Sequence, residues 1–322
     1  MNSIQQAVID ALPGKQKRTT NGWISFNAVC CHHNGESMDK RSRGGVIASG
    51  DAISYHCFNC NFKTGWQPGR HISFKMRKLL TWLNVDENTR SMLNIEALRI
   101  KDTVAIEQEL EKEFTVEFKP RPLPDNVVTL DRAPQGIQDY VALRGLDSTR
   151  LLYSNTKPAG MWKRFIIPCT YENKLIGYTA RATDALSKPK YHNSYDTGYV
   201  YGMDDQLPAA KFVIVTEGIL DAMCIGGVGI LSNNASETQA EIIDTLAREV
   251  ILVPDRDRAG QRLIDNALEY GWSVSFPEWE SDVKDINDAV VRYGKLFTLK
   301  SIVDAKQTMS LKINLMRKKW QA

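Results

Sequence analysis

Four cysteines and three histidines stand within residues 30 to 60 of this chain. Two residues separate Cys30 from His33, and two separate Cys57 from Cys60. Two such pairs can close a tetrahedron of three thiolates and one imidazole around Zn²⁺, and a site with four protein ligands is structural rather than catalytic. We therefore predict one structural zinc ion per chain, with Cys31 as an alternative to Cys30.

Cations and aromatic side chains surround the two pairs. Positive charges suit phosphates and flat rings suit bases, so this composition is typical of a surface that binds single-stranded nucleic acid. Alternatively, the rings pack the small module and the charges only solvate it. The candidates for single-stranded DNA recognition are Lys40, Arg41, Arg43, Phe58 and Lys63.

Carboxylates form a second group of candidates. Glu217 ends the apolar run "VIVTE", and Asp221 follows one helical turn later. Asp255 and Asp257 follow the run "EVILVP", and Asp285 precedes another predicted helix. Carboxylates gathered at strand ends repel one another unless cations lie among them, and such oxygen sites select Mg²⁺ or Mn²⁺. The pattern predicts metal-assisted phosphoryl or nucleotidyl transfer.

A basic segment precedes the carboxylates along the chain. Its cations follow short predicted strands and could neutralise triphosphates or template backbone. The candidates are Arg164, Arg181, Lys188 and Lys190. Lys163 and Lys174 fit equally well as solvated surface charges.

The elements that must position these groups follow from periodicity. From residue 211 onward, apolar strands alternate with amphipathic helices, which predicts a parallel sheet covered on both faces. Ligands of such sheets bind beyond the carboxyl ends of the strands. We expect a zinc-binding module at residues 1–70, a helical segment and proline-rich linker at 71–126, a basic subdomain at 127–210, a catalytic α/β subdomain at 211–300 and a helical tail at 301–322.

Composition limits the class of protein. With 322 residues and 43% hydrophobic residues, the chain can form two or three domains with real cores. The six cysteines favour metal-binding thiolates in a reducing cytoplasm over a secreted disulfide framework. The longest apolar runs are too short for a membrane helix, which predicts a soluble cytoplasmic protein.

Together these motifs resemble the DNA primases of bacteria and phages that combine a zinc ribbon with a Toprim domain. "CCHHNGES" and "YHCFNCNFKTG" are similar to the family's zinc signature, and "RFIIPCTYENKLIGYTARA" and "PKYHNS" to its basic subdomain. "EGILDA", "PDRDRAG" and "KDIN" are similar to its three acidic motifs. The similarity covers nearly the whole chain in order, and it is greatest to the stand-alone primases of T4-type phages.

The resemblance implies an α/β fold, with a Toprim-type parallel sheet within an RNA polymerase domain and a small β-rich zinc ribbon domain before it. It gives Asp221 a supporting role. It assigns Zn²⁺ to Cys30, His33, Cys57 and Cys60, Mg²⁺ or Mn²⁺ to Glu217, Asp255, Asp257 and Asp285, and nucleotide or template binding to Arg164, Arg181, Lys190 and Asn193. Asp288 has no clear counterpart.

The implied activity is synthesis of short RNA primers from NTPs on a single-stranded DNA template. The implied partners are a replicative hexameric helicase on a separate chain and, further, a single-strand-binding protein and a DNA polymerase. The implied location is the cytoplasm, that of the host if the chain is phage-encoded. Two alternatives stay open: a Toprim-type nuclease and a non-catalytic adaptor that binds nucleic acid or loads a helicase.

Overall fold

The computed structural model describes residues 2–103, 116–154, 160–161, 163–257 and 260–320. Within them, the strands form three five-stranded sheets. The first and second sheets are antiparallel, and the third is parallel except for its last strand. The predicted class is confirmed: a mixed α/β chain has a parallel sheet preceded by a small β-rich module that contains four cysteines.

The N-terminal module is built on the first sheet, whose strands pair in chain order. Asn2 and Gln5 form a capping box at the start of helix α1 (Ser3–Asp10). Gln5 Nε2 also donates to the carbonyls of Gly50 and Ala52, which ties α1 to a turn of the sheet. The strands are β1 (Lys17–Arg18), β2 (Ile24–Phe26), β3 (Gly44–Ser49), β4 (Ala52–Cys57) and β5 (Lys63–Trp66).

Helix α2 (Phe74–Trp82) connects this module to the parallel sheet, and α3 (Glu87–Thr103) follows it. The side chain of Ser73 caps α2. Phe74 is buried in the core on one face of the parallel sheet, where its ring meets Tyr270 edge-on at a centroid distance of 4.5 Å. The carboxylate of Asp244 accepts from the backbone N–H of Phe74 at 2.6 Å. The start of the predicted helical segment therefore supplies part of the core of the parallel sheet.

The proline-rich segment "KPRPLPDN" contains no helix or strand before residue 127. Phe118, just before it, packs edge-on against Tyr171 and Tyr199 at centroid distances of 5.0 and 5.9 Å. The backbone N–H of Lys119 donates to Asp196 at 3.0 Å. The segment thus lies along the second sheet, in contrast to a freely exposed spacer.

The second sheet forms the middle of the chain and has the strand order β10-β9-β8-β7-β6. Its long central hairpin carries the apolar runs "RFIIPCTY" and "KLIGYTARA". Helix α4 (Gln135–Leu143) lies between its first two strands. The strands are β6 (Val127–Thr129), β7 (Leu152–Ser154), β8 (Arg164–Tyr171), β9 (Lys174–Ala182) and β10 (Tyr191–Ser194).

The third sheet has the order β12-β11-β13-β14-β15, and only β15 runs antiparallel to its neighbour. Its strands are almost fully buried, as expected when helices cover both faces. The strands are β11 (Phe212–Thr216), β12 (Val228–Gly229), β13 (Glu249–Leu252), β14 (Ser273–Ser275) and β15 (Lys306–Gln307).

Six helices accompany this sheet: α5 (Ile219–Ile225), α6 (Glu237–Asp244), α7 (Gly260–Tyr270), α8 (Ile286–Tyr293), α9 (Lys295–Asp304) and α10 (Ser310–Trp320). One core joins the parallel sheet to the second sheet through α5 and α8, and another lies under α6, α7 and α10. Residues 301–320 therefore belong to the third sheet's layers and are more than a tail. Among the described residues, no helix is both long and apolar enough to cross a bilayer.

Candidate catalytic and metal sites

The acidic residues converge where the strands of the parallel sheet end. Strands β11 and β13 are adjacent, with Val215 opposite Leu252, so their carboxyl ends lie side by side. Glu217 follows β11 directly, and Asp255 follows β13 after two residues. Asp285 caps helix α8 by accepting from the backbone N–H of Asp288 at 2.7 Å. Parallel pairing thus brings together acidic groups that lie far apart in sequence.

Burial and mutual repulsion shape the ionisation of these carboxylates. Burial raises the pKa of Asp255 to about 8, and the charges of Asp221, Glu217, Asp285 and Asp257 add to the effect. Burial followed by the charge of Asp257 raises the pKa of Glu217. The pKa of Asp285 is also raised, chiefly by burial. These groups therefore tend to hold protons unless a cation compensates their charge.

A hard divalent cation fits this donor set. Glu217 Oε2 is buried and has no hydrogen-bond partner among the described residues. Mg²⁺ or Mn²⁺ would supply the missing partner of this carboxylate oxygen and would offset the charge of the neighbouring carboxylates. Among the described residues, the four thiols of the N-terminal module are the one group whose possible ligand atoms all lie within 4.8 Å of one another. The carboxylate oxygens of the acidic cluster are farther apart. Glu217, Asp255, Asp257 and Asp285 are the residues available to hold the ion.

Asp221 is buried and connects two of the helices next to the acidic cluster. Its side chain is buried, and its Oδ1 accepts from the backbone N–H of Asn287 at 2.8 Å. Burial, with the charge of Asp285, raises its pKa to about 7. A Cβ atom on Gly218 would overlap the carboxylate of Asp221. The glycine of "EGILDA" is therefore required by the close approach of Asp221, which joins α5 to the start of α8.

Asp257 and Gly260 shape the next acidic loop. The backbone N–H of Gly260 donates to Asp257 Oδ1 at 3.0 Å. A Cβ atom on Gly260 would lie 2.5 Å from the carbonyl oxygen of Asp255, so only glycine allows helix α7 to start this close to the loop. The spacing of "DRDRAG" thus has a steric reason.

Cations line the acidic cluster on the side of the second sheet. Arg181 donates to Tyr140 Oη at 3.1 Å, and its guanidinium lies 4.7 Å from the centroid of the Tyr191 ring. Lys190 is exposed, and its charge lowers the pKa of Asp285 against the larger effect of burial. The charge of Lys190 therefore acts on the acidic cluster from an exposed position. Arg181 is 7% exposed, so its guanidinium is buried against the two tyrosines and is not a surface cation.

Sequence reasoning missed Arg144, at the end of α4. Its Nη1 donates to Asn287 Oδ1 at 2.9 Å and lies 3.3 Å from Asp288 Oδ1. Asp288, which the motif comparison left without a role, is thus an ion-pair partner. Leu143, Arg144 and Asp288 help to line an open cavity of about 330 Å³. The only sequence signal was the "LRG" turn, in which Gly145 has a φ of 62°.

Arg164 does not have the exposed position that nucleotide binding would require. It is 4% exposed, and its guanidinium donates to four backbone carbonyls, those of Gly160, Ala180, Pro189 and Lys190. The structure corrects its role to that of a support for the loop before β10, because the side chain is buried and four of its five N–H groups bond to backbone carbonyls. The sequence shows an arginine at a strand start but not which way it points.

The two remaining candidates of the basic segment are exposed. Lys188 lies in the loop before β10. Asn193 lies on β10, where its Oδ1 accepts from Thr179 Oγ1 at 2.5 Å. Both are accessible to a nucleic acid, so their assignment stays a prediction.

Four thiols form a compact cluster in the N-terminal module. Cys30 Sγ lies 3.4 Å from Cys60 Sγ, and Cys31 Sγ lies 3.5 Å from Cys57 Sγ. All four sulfur atoms lie within 4.8 Å of one another. Such separations suit four thiolates around one Zn²⁺. Burial raises the pKa of Cys30, and burial raises that of Cys31 to about 11, so a bound cation would compensate charges that the site otherwise disfavours.

Neighbouring groups support the sulfur atoms, as expected around a metal site. The hydroxyl of Tyr55 lies 3.1 Å from Cys30 Sγ. Asn59 Nδ2 donates to Cys31 Sγ at 3.3 Å, and Asn34 Nδ2 lies 3.6 Å from Cys60 Sγ.

The structure corrects one predicted zinc ligand, because Cys31 takes the place expected for His33. A 3₁₀ turn spans Cys31–Asn34, and it directs His33 out of the cluster. The exposed His33 ring stacks on Trp82 of α2 at a centroid distance of 4.7 Å and an interplanar angle of 7°. The ligand set is therefore four cysteines, and Cys31 stands beside Cys30 rather than in its place.

The proposed DNA-recognition residues lie around this cluster. Lys40, Arg41 and Lys63 are exposed, and Phe58 is 62% exposed with its ring edge-on to Trp23 at 6.3 Å. Arg43 differs, because its Nε pairs with Asp39 Oδ1 at 3.1 Å. The remaining three cations and Phe58 leave charge and ring surface available on one small module.

Asp39, which sequence reasoning missed, organises the loop that carries these cations. Burial alone would raise its pKa, but bonds from the backbone N–H groups of Ala28, Arg41 and Arg43, and from the Arg43 side chain, lower it to about 2. The buried carboxylate is therefore charged at neutral pH, and it fixes the backbone that presents Lys40 and Arg41.

Comparison with solved structures finds primase domains. A DnaG primase catalytic domain bound to single-stranded DNA superimposes with a TM-score of 0.48 at 19% identity, covering 59% of this chain and 78% of that one. The zinc-binding and RNA polymerase domains of the Aquifex aeolicus primase give 0.46 at 16%, covering 95% and 84%. A DNA primase domain from Pseudomonas aeruginosa gives 0.40 at 19%, covering 59% and 65%. No protein-family model matches the sequence, and a search of curated proteins finds no match.

Proposed function

We propose that this chain is a DNA primase that synthesises short RNA primers on single-stranded DNA. The observation that carries the proposal is the cluster of Glu217, Asp255, Asp257 and Asp285 beyond the parallel strands, with the charges of Arg144 and Lys190 acting on it. A site of buried carboxylates rimmed by cations suits a metal-bound triphosphate and a polyanionic template.

The chemistry is nucleotidyl transfer. The 3′-oxygen of one nucleotide forms a bond to the α-phosphorus of the next NTP, the α–β phosphoanhydride bond breaks, and pyrophosphate leaves with its electron pair. The hydroxyl proton passes to solvent. A bound Mg²⁺ or Mn²⁺ would supply Lewis-acid stabilisation of the charge on the phosphoryl oxygens.

The chain's own residues hold the reactants. Glu217, Asp255 and Asp257 would bind the cation. Asp221 fixes the start of α8, next to Asp285, by accepting a hydrogen bond from the backbone N–H of Asn287. Arg181 is 7% exposed and is held by two tyrosines, so it would contribute positive charge from within the protein rather than a surface contact to a phosphate. Lys190 is exposed beside the cluster and suits the template backbone.

The N-terminal module would read the template. Its exposed Phe58 can stack on a base, and Lys40, Arg41 and Lys63 can meet phosphates. The four-thiol cluster would hold Zn²⁺ and thereby fix the strands that present them. Further proposals that rest on the sequence resemblance are a T4-type phage origin, a hexameric helicase as partner and action in the host cytoplasm.

The test is Asp257→Asn, which keeps the side chain's size but removes one charge. Loss of metal-borne stabilisation of several kcal/mol should reduce primer synthesis by about a hundredfold or more. The assay is radiolabelled NTP incorporation on single-stranded template with Mg²⁺ and with Mn²⁺. Asp304→Asn is the matched control, because Asp304 is exposed at the end of α9 and pairs with Lys300 of the same helix. Primer synthesis at the control's rate by folded Asp257→Asn protein would refute the catalytic assignment.

The same assay separates the alternatives. A nuclease would shorten labelled DNA without incorporating NTPs, and an adaptor would bind single-stranded DNA and do neither. The acidic cluster favours an enzyme over an adaptor, because burying charges that repel one another has no evident use in a protein that only binds.

A further inference from the structure

Arg256 stands between the two aspartates of the second acidic motif, yet its side chain points away from them. Its Nη1 donates to the carbonyl of Glu280 at 3.0 Å. Its Nη2 donates to the carbonyls of Pro277 and Trp279 at 3.0 and 3.1 Å. Its own backbone N–H donates to the carbonyl of Lys284 at 3.1 Å. One residue therefore ties the loop between Asp255 and Asp257 to the segment that leads into Asp285.

The C-terminal helix closes this arrangement from outside. The guanidinium of Arg256 lies 4.4 Å from the centroid of the Trp320 ring, at the end of α10. Trp320 also meets Phe276 edge-on at 5.5 Å, and Ile313 of the same helix is buried in the core. Arg317 pairs with Asp265 on α7 at 2.5 Å. Helix α10 is thus anchored at several points and holds the indole over the arginine.

An arginine has a specific advantage here. Its planar fork can reach several carbonyls at once and still present a face to an aromatic ring, whereas the lysine ammonium is a compact point donor. Nε of Arg256 has no partner in the described residues, so the terminal nitrogens make the side-chain hydrogen bonds. The bonds join the loops that follow the paired strands β13 and β14, beyond the last residues that those strands pair.

We propose that Arg256, covered by Trp320, is a positioning residue that fixes Asp255 and Asp257 relative to Asp285. We call the hydrogen bonds of Arg256 and its contact with Trp320 the clamp. The inference rests on the proposed function, because the clamp would serve divalent-cation binding at the acidic cluster. It makes the C-terminal helix part of the site's support, although that helix bears none of the acidic residues.

A positioning role for Arg256 and a purely electrostatic role predict opposite changes in Mn²⁺ affinity when Arg256 is replaced. If Arg256 acts only as a charge, Arg256→Gln removes a cation near the carboxylates and Mn²⁺ should bind more tightly. If Arg256 positions the loop, Arg256→Gln should weaken Mn²⁺ binding about tenfold or more, as loss of supporting groups around metal ligands does. Arg256→Lys keeps the charge but not the fork, so it should also bind Mn²⁺ more weakly than the wild type.

The measurement is calorimetric titration of the zinc-loaded full chain with Mn²⁺, together with hydrogen exchange over residues 277–284, which should speed up in Arg256→Gln. Arg248→Gln is the matched control, because Arg248, like Arg256, donates to backbone carbonyls, those of Leu207 and Leu246 away from the cluster. Its Mn²⁺ affinity should equal that of the wild type. Trp320→Leu leaves the carbonyl bonds in place, and loss of the cation–π contact should weaken Mn²⁺ binding about two- to fivefold.

The outcomes separate this inference from the proposed function. Weaker Mn²⁺ binding in the Arg256 variants supports the clamp even if the wild type makes no primers, a result that would refute only the primase activity. Unchanged or tighter binding in folded Arg256→Gln overturns the clamp even if the wild type makes primers. Absence of Mn²⁺ binding by the wild type overturns both. If Arg256→Gln does not fold, Trp320→Leu decides, and unchanged affinity in that variant overturns the clamp.

Discussion

Asp255 should make the protein less stable as pH rises when no divalent cation is present. Its pKa is about 8 in the fold against an ordinary 3.8, so the folded chain holds a proton that the unfolded chain releases between these values. Stability must then fall with rising pH across this window. Because each pKa unit corresponds to about 1.4 kcal/mol, the ionised form costs on the order of 5 kcal/mol at pH 9. Asp255→Asn, which cannot ionise, should avoid this loss.

The assay is urea denaturation of zinc-loaded protein without Mg²⁺ or Mn²⁺ at pH 5 and at pH 9. The wild type should lose stability between the two values, and Asp255→Asn should lose several kcal/mol less. Added Mg²⁺ should restore stability at pH 9 in the wild type but much less in the variant. An equal loss in the wild type and in Asp255→Asn would refute the argument that burial and mutual repulsion of the carboxylates oppose folding in the absence of a cation.

Three further predictions concern the supporting structure. Cys31→Ser should release zinc and unfold the N-terminal module, whereas His33→Ala should keep one equivalent of zinc. Metal analysis and circular dichroism measure the two effects, and the reverse result would restore His33 as the ligand. Gly218→Ala should lower the unfolding free energy by about 1–3 kcal/mol, because its Cβ displaces Asp221, and wild-type stability would contradict the close approach. Phe74→Ala should lower the unfolding free energy of the core of the parallel sheet by about 3–5 kcal/mol, as measured by urea denaturation. An effect confined to the N-terminal module would show that Phe74 does not belong to that core.

Much of the fold was accessible from local patterns. Alternation of apolar strands with amphipathic helices predicted the parallel sheet, and the structure has β11 to β14 with their intervening helices in that order. The convergence of Glu217 and Asp255 followed from parallel pairing, which brings carboxyl ends to one edge whatever the intervening sequence. The spacing of the cysteines likewise predicted a thiol cluster in the N-terminal module, but the hydrophobic core of that module was not foreseen.

The sequence by itself thus determined the elements, their order and the acidic residues, since these depend on periodicity and on residue type. The tertiary structure alone decided which side chains point where. Spacing suggests His33 as readily as Cys31, but the turn at Cys31–Asn34 turns the thiol inward and stacks the imidazole on Trp82. Arg164 looks like a phosphate ligand in a basic segment, yet its guanidinium donates to backbone carbonyls. Arg256 likewise donates to the carbonyl of Glu280, a contact that its place in the sequence does not indicate. The partners of these side chains lie up to dozens of residues away, and only the folded chain brings them within hydrogen-bond distance.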